Sequence, residues 1–153
     1  MPLNLENFKH PYLATDIVIE YQDKRKSGII LIQRRNPPLG LAIPGGFAEY
    51  KLSLEENAVK EAKEETGLDV TIENPEHPLC ILSSPNRDPR AHIIAVVYIA
   101  KGFGILKAGD DAKSASLYSI EEIENLLQRN SFVMDHNKII GEYLKYLGIK
   151  NLA

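Results

Sequence analysis

Two periodicities divide the chain. From Asp16 to Tyr21 the residues DIVIEY alternate in polarity, and after a charged turn from Gln22 to Ser27 the run GIILIQ, Gly28 to Gln33, is apolar nearly throughout. Alternation of period two predicts a strand, the second run predicts a more deeply buried one, and together they predict a hairpin. Residues Met1 to Pro11 ahead of it read as an irregular arm. Further strands are expected at Leu68 to Glu73, Leu79 to Leu82 and Ser116 to Ser119. The run HIIAVVYIA, His92 to Ala100, is the longest apolar stretch and predicts a central strand covered on both faces.

The spacing becomes helical at Leu54. Leu54, Ala58, Val59 and Ala62 form an apolar stripe, Ser53 and Glu56 stand three apart as a capping box, and Gly67 is placed for the left-handed stop. A helix over Leu54 to Thr66 follows. Ser119 and Glu122 start a second helix, Ile120 to Leu127, in the same way. Asp135 is expected to cap a last one, His136 to Leu147, that buries Ile139, Ile140, Tyr143 and Leu147.

With 153 residues, 44% of them hydrophobic and 25% charged, the chain suits one domain over residues 1–153 with a core of its own. The order of strands and helices suits an α+β fold, a mixed β-sheet sandwich flanked by α-helices. The net charge of −3, without a basic stripe, disfavours nucleic acid as a partner. No long apolar segment or signal-peptide layout is found, so no membrane partner is expected and a cytoplasmic location is. The single cysteine, Cys80, lies in the apolar run LCIL and reads as a core thiol, not a nucleophile.

Candidate chemistry is densest between Pro44 and Val70. Glu61, Glu64 and Glu65 share about one helical turn, a spacing at which like charges cost an isolated helix roughly 0.2–0.5 kcal/mol per pair. A hard divalent cation, Mg²⁺ or Mn²⁺, is one partner such carboxylates invite. A solvated face with Lys60 and Lys63 as counter-charges explains them too, and the carboxylates alone favour that simpler reading. Gly45 and Gly46, just before, let backbone approach a ligand or merely turn the chain. Arg34 and Arg35 begin a loop in which Pro37 and Pro38 exclude regular pairing, and Arg87 and Arg90 lie in the polar loop SSPNRDPR. Arg34 and Arg35 are candidates to grip phosphate by forked hydrogen bonds, though solvated arginines are common, and at a phosphate site all four arginines could grip phosphates or a terminal ribose. His92 reads as structural. Asp110 and Asp111 fall in a turn from Ala108 to Lys113, where either could cap or ligate.

The passage as a whole resembles the Nudix box, G-x5-E-x7-R-E-U-x-E-E-x-G-U with U aliphatic. From Gly46 the register sets Lys60, Glu61, Ala62, Glu64, Glu65, Gly67 and Leu68 on its second half, while Leu52 stands where the pattern has Glu and Lys60 where it has Arg. RDPR, GDDA and MDH elsewhere are similar to the ADP-ribose pyrophosphatase-like branch of that family, with Ala91 in place of a glycine and Met134 in place of a phenylalanine. The resemblance implies the Nudix fold and a magnesium site made by Glu61, Glu64, Glu65 and the Gly45 carbonyl. It also implies a catalytic or metal-ligating role for Asp111, and a nucleotide substrate met by Gly46 and the arginines. Hydrolysis of ADP-ribose to AMP and ribose 5-phosphate is the leading expectation. The alternatives are another nucleotide sugar, a nucleoside triphosphate, or binding without cleavage. A homodimer is expected, in which the RDPR loop could act across the interface. Glu49 or Glu56 is expected to compensate for Leu52, leaving a working, slower hydrolase.

Overall fold

The computed structural model describes residues 3–107 and 112–152. The first strand, β1 (Tyr12–Gln22), is followed by β2 (Ser27–Arg34), β3 (Leu41–Ala42), β4 (Gly45–Phe47), α1 (Leu54–Thr66), β5 (Asp69–Ile72), β6 (Cys80–Leu82), β7 (Ile93–Phe103), β8 (Ala112–Tyr118), α2 (Ile120–Gln128) and α3 (His136–Leu152). The expected hairpin, the four later strands and the three helices are all present. The arm holds one short 3₁₀ turn, Leu5–Asn7, capped by Asn4. β1 and β7 outrun their sequence signals because they pair in parallel from Tyr12 opposite Ile93 to Glu20 opposite Lys101. β3 and β4 were invisible to periodicity, being two and three residues long.

The sheet is mixed, and β1 is its hub. Opposite β7, the edge of β1 is shared by two strands: β2 pairs antiparallel with Glu20 to Gln22, and β4 antiparallel with Ala14 to Asp16. Beyond the hairpin, β2 takes β8 and β3 as partners. A wedge therefore opens between the far end of β2 and the strand pair β1–β4.

Period two then sorts the core. Ile17 and Ile19 of β1 join Val96, Tyr98 and Ala100 of β7, Ile30 of β2, and Ala58 and Ala62 of α1 in one buried cluster. Val18, Val97, Ile99, Ile29 and Leu31 point the other way and pack with Ile123, Ile139, Ile140 and Tyr143 of α2 and α3. The central strands are thus covered on both faces, and each fully buried Ile or Val contributes about 1.5–3 kcal/mol of transfer free energy. Cys80 packs half-buried against the second cluster, its thiol pushed up to about 11 chiefly by burial. Val59, counted in the apolar stripe of α1, is exposed, whereas Asn57, Glu65 and Thr66 are buried. Among the described residues no helix is long and apolar enough to cross a membrane.

Candidate functional site

The wedge between β2 and β4 holds a cavity of about 350 Å³. Its walls carry Asp16 from β1, Arg34 from β2, Gly45, Gly46 and Phe47 from β4, Glu61 and Glu65 from α1, Arg87, Asp88 and Arg90 from the loop before β7, and His136 from α3.

α1 is delivered to this wall by its caps. The Ser53 hydroxyl accepts from the Glu56 N–H at 3.1 Å, and Gly67, at φ +74°, ends the helix with its N–H on the Lys63 carbonyl. Between these caps the glutamates divide by face. Glu61 and Glu65, four apart, face the cavity, and Glu65 is buried with Oε2 accepting from the Gly45 N–H at 3.2 Å. Glu64 turns outward to Lys60, 2.6 Å away, and Lys60 also holds Glu49 at 3.0 Å. Lys63 pairs with Asp69. Each reading of EAKEE therefore describes one side of the helix. The outer row is an ion-paired surface, and the inner row presents carboxylates to the cleft.

Closeness to backbone requires glycine at position 45, and at position 46 a side chain would displace the Glu61 carboxylate. A Cβ on Gly46 would lie 2.5 Å from the Glu61 carboxyl carbon, and one on Gly45 would lie 2.1 Å from Asp16 Oδ1. Asn57 fixes the segment from behind. Its amide nitrogen donates to Thr15 Oγ1 at 2.9 Å and the Phe47 carbonyl at 3.2 Å, and its Oδ1 accepts from the Glu49 N–H at 3.0 Å. No periodicity points to this buried amide, although a polar residue on the inward side of a capped helix is a signal of sorts.

The four arginines have different surroundings. Arg87 donates from Nε and Nη2 to Asp135 at 2.8 and 2.7 Å and from Nη1 to the Ile93 carbonyl at 3.2 Å, so each of its nitrogens is engaged. Asp135, expected to cap α3, thus has its carboxylate on Arg87. Arg90 is held by Asp88 through Nε at 3.0 Å and Nη2 at 2.8 Å. Both arginines of the RDPR loop line the cavity. Arg34 donates Nε to the Pro38 carbonyl, and among the described residues its two terminal nitrogens make no hydrogen bond. Burial, then the like charge of Arg90, lowers its pKa below the usual guanidinium value against the opposing pull of Glu65, Asp88 and Asp16. Arg35 is exposed and outside the cavity. His92 donates from Nε2 to the Ser83 carbonyl at 3.1 Å, the structural place expected for it.

Two groups that sequence reasoning passed over line the cavity. Asp16 has the parity of Val18 and so faces α3; burial pushes its carboxyl up to about 7, Arg87 pulls it down, and Asp135 adds to the rise. His136, the first residue of α3, accepts the Ile43 N–H at Nδ1 at 3.0 Å, which fixes the tautomer protonated at Nε2. Burial, aided by the charge of Arg87, lowers its pKa to about 4.

Gly45, Gly46, Glu61, Glu65, Arg34, Arg87 and Arg90 are thus brought together, and Glu64 and Arg35 are not. Asp110 and Asp111 lie outside the described residues. Among the described residues no three His, Cys, Asp or Glu side chains converge as a ready metal cluster. The donor set nonetheless fits a hard divalent ion, with two carboxylates on the cavity wall, one of them buried and held by the Gly45 N–H, and Glu61 lying close against Gly46.

A model of the NUDIX domain family matches residues 11–140. The chain is 42% identical over 142 residues to the ADP-ribose pyrophosphatase of Methanocaldococcus jannaschii, covering 91% of this chain and 76% of the relative. Its structure resembles a bifunctional NMN adenylyltransferase/ADP ribose pyrophosphatase from Francisella tularensis complexed with AMP and Mn ion, with a TM-score of 0.75 at 26% identity. That match covers 92% of this chain but only 43% of the Francisella protein. The NUDIX domain of Shewanella oneidensis NrtR complexed with ADP ribose superposes with a TM-score of 0.78, covering 95% and 94% of the two chains. At 20% identity that likeness is one of fold alone.

Proposed function

The chain belongs to the NUDIX domain family, and from that premise we propose that it is a magnesium-dependent pyrophosphohydrolase that cleaves ADP-ribose with water to AMP and ribose 5-phosphate. The observation that carries this reading is the pairing of Glu61 and Glu65 against Gly45 and Gly46, opposite Arg34, in one cavity. The named activity of the 42% identical relative supports the substrate.

Glu61 and Glu65 would hold the divalent ion, with the Gly45 carbonyl as a further oxygen donor. When bound, that ion neutralises diphosphate charge and lowers the pKa of an attacking water. The chain's own residues do the rest. Gly46 lets the Glu61 carboxylate lie close against the backbone, and Arg34 takes a phosphate oxygen with the terminal nitrogens that no described residue occupies. Arg87, gripped by Asp135, stiffens the opposite wall. Asp111 is the proposed proton acceptor or further ligand. Glu64 starts from its ion pair with Lys60, so its recruitment to the ion needs that pair to open.

Two observations favour a second reading, binding without cleavage: Leu52 offers no side-chain oxygen, and Glu64 is held outside the cavity. Incubation with ADP-ribose and Mg²⁺ or Mn²⁺, with product separation, decides between them. AMP and ribose 5-phosphate in equal amounts support the hydrolase; tight calorimetric binding with no product supports the second reading. A panel of other nucleotide sugars and triphosphates fixes the preference. A cytoplasmic homodimer belongs to the same proposal, supported by the exposed apolar arm residues Leu3, Leu5 and Phe8 and tested by light scattering and cell fractionation.

A further inference from the structure

Phe47 is the last residue of β4, and the residue is 48% exposed although its backbone is firmly held. Phe47 pairs with Ala14 across the sheet, its carbonyl takes the Asn57 amide, and the next N–H, that of Ala48, donates to the Leu13 carbonyl at 2.8 Å. The ring sits edge-on to Tyr12, with centroids 6.1 Å apart and planes at 69°. Over it lies the guanidinium of Arg90, its central carbon 5.4 Å from the ring centroid. That guanidinium is itself oriented, since the buried Asp88 accepts from its Nε, its Nη2 and the Arg90 backbone N–H.

Single exposed apolar side chains need no explanation. This one differs in its neighbours and its place. Phe47 and Arg90 both line the cavity, and among its described lining residues Phe47 is the only phenyl or phenol ring. The charged groups Glu61, Glu65, Asp16 and Arg34 gather in the same cavity, whose volume of about 350 Å³ lies near the lower end of the roughly 300–1,000 Å³ typical of small-molecule sites. A nucleoside diphosphate joined to a second sugar is long, and with its charged centre held by those groups one end must extend to the rim. The end suited to an aromatic ring beside a planar cation is a flat, polarisable nucleobase.

We propose that Phe47 and Arg90 form the stacking platform for the nucleobase, making Phe47 a specificity-determining residue. The inference rests on the nucleotide reading of the cavity and names which end of the ligand goes where. It also gives the RDPR loop two distinct tasks: Arg87 braces the wall through Asp135, and Asp88 aims Arg90 at the base.

The test is calorimetric binding of AMP and of ribose 5-phosphate, each in the presence of Mg²⁺, to wild type, Phe47→Ala, Phe47→Tyr and Arg90→Lys, with folding checked by circular dichroism. Stacking of a base on an aromatic residue corresponds to about 5- to 100-fold in affinity. Phe47→Ala is expected to weaken AMP by that factor and to leave ribose 5-phosphate within about twofold. Phe47→Tyr keeps AMP affinity, and Arg90→Lys, retaining charge but losing the plane, weakens AMP more than ribose 5-phosphate. Equal losses for both ligands, unchanged AMP affinity in Phe47→Ala, or a change in its mass by light scattering with AMP affinity intact would overturn the platform. Because binding is read without turnover, a wild type that binds AMP through Phe47 yet fails to cleave ADP-ribose sinks the hydrolase and spares the platform.

Discussion

Arg87 and Asp135 meet as a fork, Nε to Oδ2 at 2.8 Å and Nη2 to Oδ1 at 2.7 Å, with side chains only 4% and 12% exposed. The pair ties the loop before β7 to the start of α3, and so joins two walls of the cavity. Removing one partner leaves the other charged and buried. Arg87→Ala and Asp135→Ala are each expected to lower stability by about 3–5 kcal/mol, read from urea unfolding. Losses below 1 kcal/mol would mean that the fork is not held in solution.

Asn57 anchors the glycine segment through three hydrogen bonds from within α1. Asn57→Leu fills similar space and strands the Glu49 N–H and the Phe47 carbonyl. A loss of roughly 2–4 kcal/mol is expected. KM should rise as the segment loosens, and an unchanged KM with full stability would contradict the anchor.

Lys60 stands where the family pattern has Arg, and it already bridges Glu49 and Glu64. Those hydrogen bonds, to Glu64 first and then Glu49, raise its pKa, so it stays a cation. Lys60→Arg restores a forked donor. Activity on ADP-ribose is expected to hold or rise by up to about tenfold. Collapse of activity in a folded Lys60→Arg protein would show that the compact ammonium is itself required.

His136 and Asp16 respond to pH with opposite sign. The native state holds His136 neutral down to about pH 4 while the unfolded chain takes a proton near 6.5, so this group lowers stability as pH falls across that window. Asp16 has its native pKa raised to about 7, so its contribution is present at low pH and is lost as pH rises through 7. Between pH 7 and 5 the two partly cancel. In metal-free buffer the unfolding free energy of Asp16→Asn, read from urea titration, should fall more steeply from pH 7 to pH 5 than that of wild type, by up to about 2–3 kcal/mol. An equal or shallower fall would remove the raised pKa of Asp16.

What was legible in the sequence was whatever repeats or caps. DIVIEY, GIILIQ and HIIAVVYIA alternate or run apolar because their sheet is packed on both faces, and α1 begins at Ser53 and stops at Gly67 because those residue types satisfy helix ends. The spacing from Gly46 to Leu68 carried the family. β3 and β4 were not legible, since strands of two and three residues have no period, yet β4 is what sets Gly45 against Glu65. Asp16 and His136 were hidden for another reason. Each reaches the cavity from an element whose pattern reads as core, and only the divergence of β2 and β4 along β1 uncovers them. Which arginine faces what was equally out of reach, because it depends on Asp88 and Asp135, one near in sequence and one far.

We propose that Glu61 and Glu65, the two glutamates of α1 that face the cavity, hold the catalytic metal. It is tested most directly by steady-state hydrolysis of ADP-ribose with Mg²⁺ by folded Glu61→Gln and Glu65→Gln beside wild type. Loss of an ion-holding carboxylate is expected to lower kcat by about 100-fold or more in each variant, some 2.7 kcal/mol of transition-state stabilisation. Either variant turning over ADP-ribose as fast as wild type would contradict the assignment.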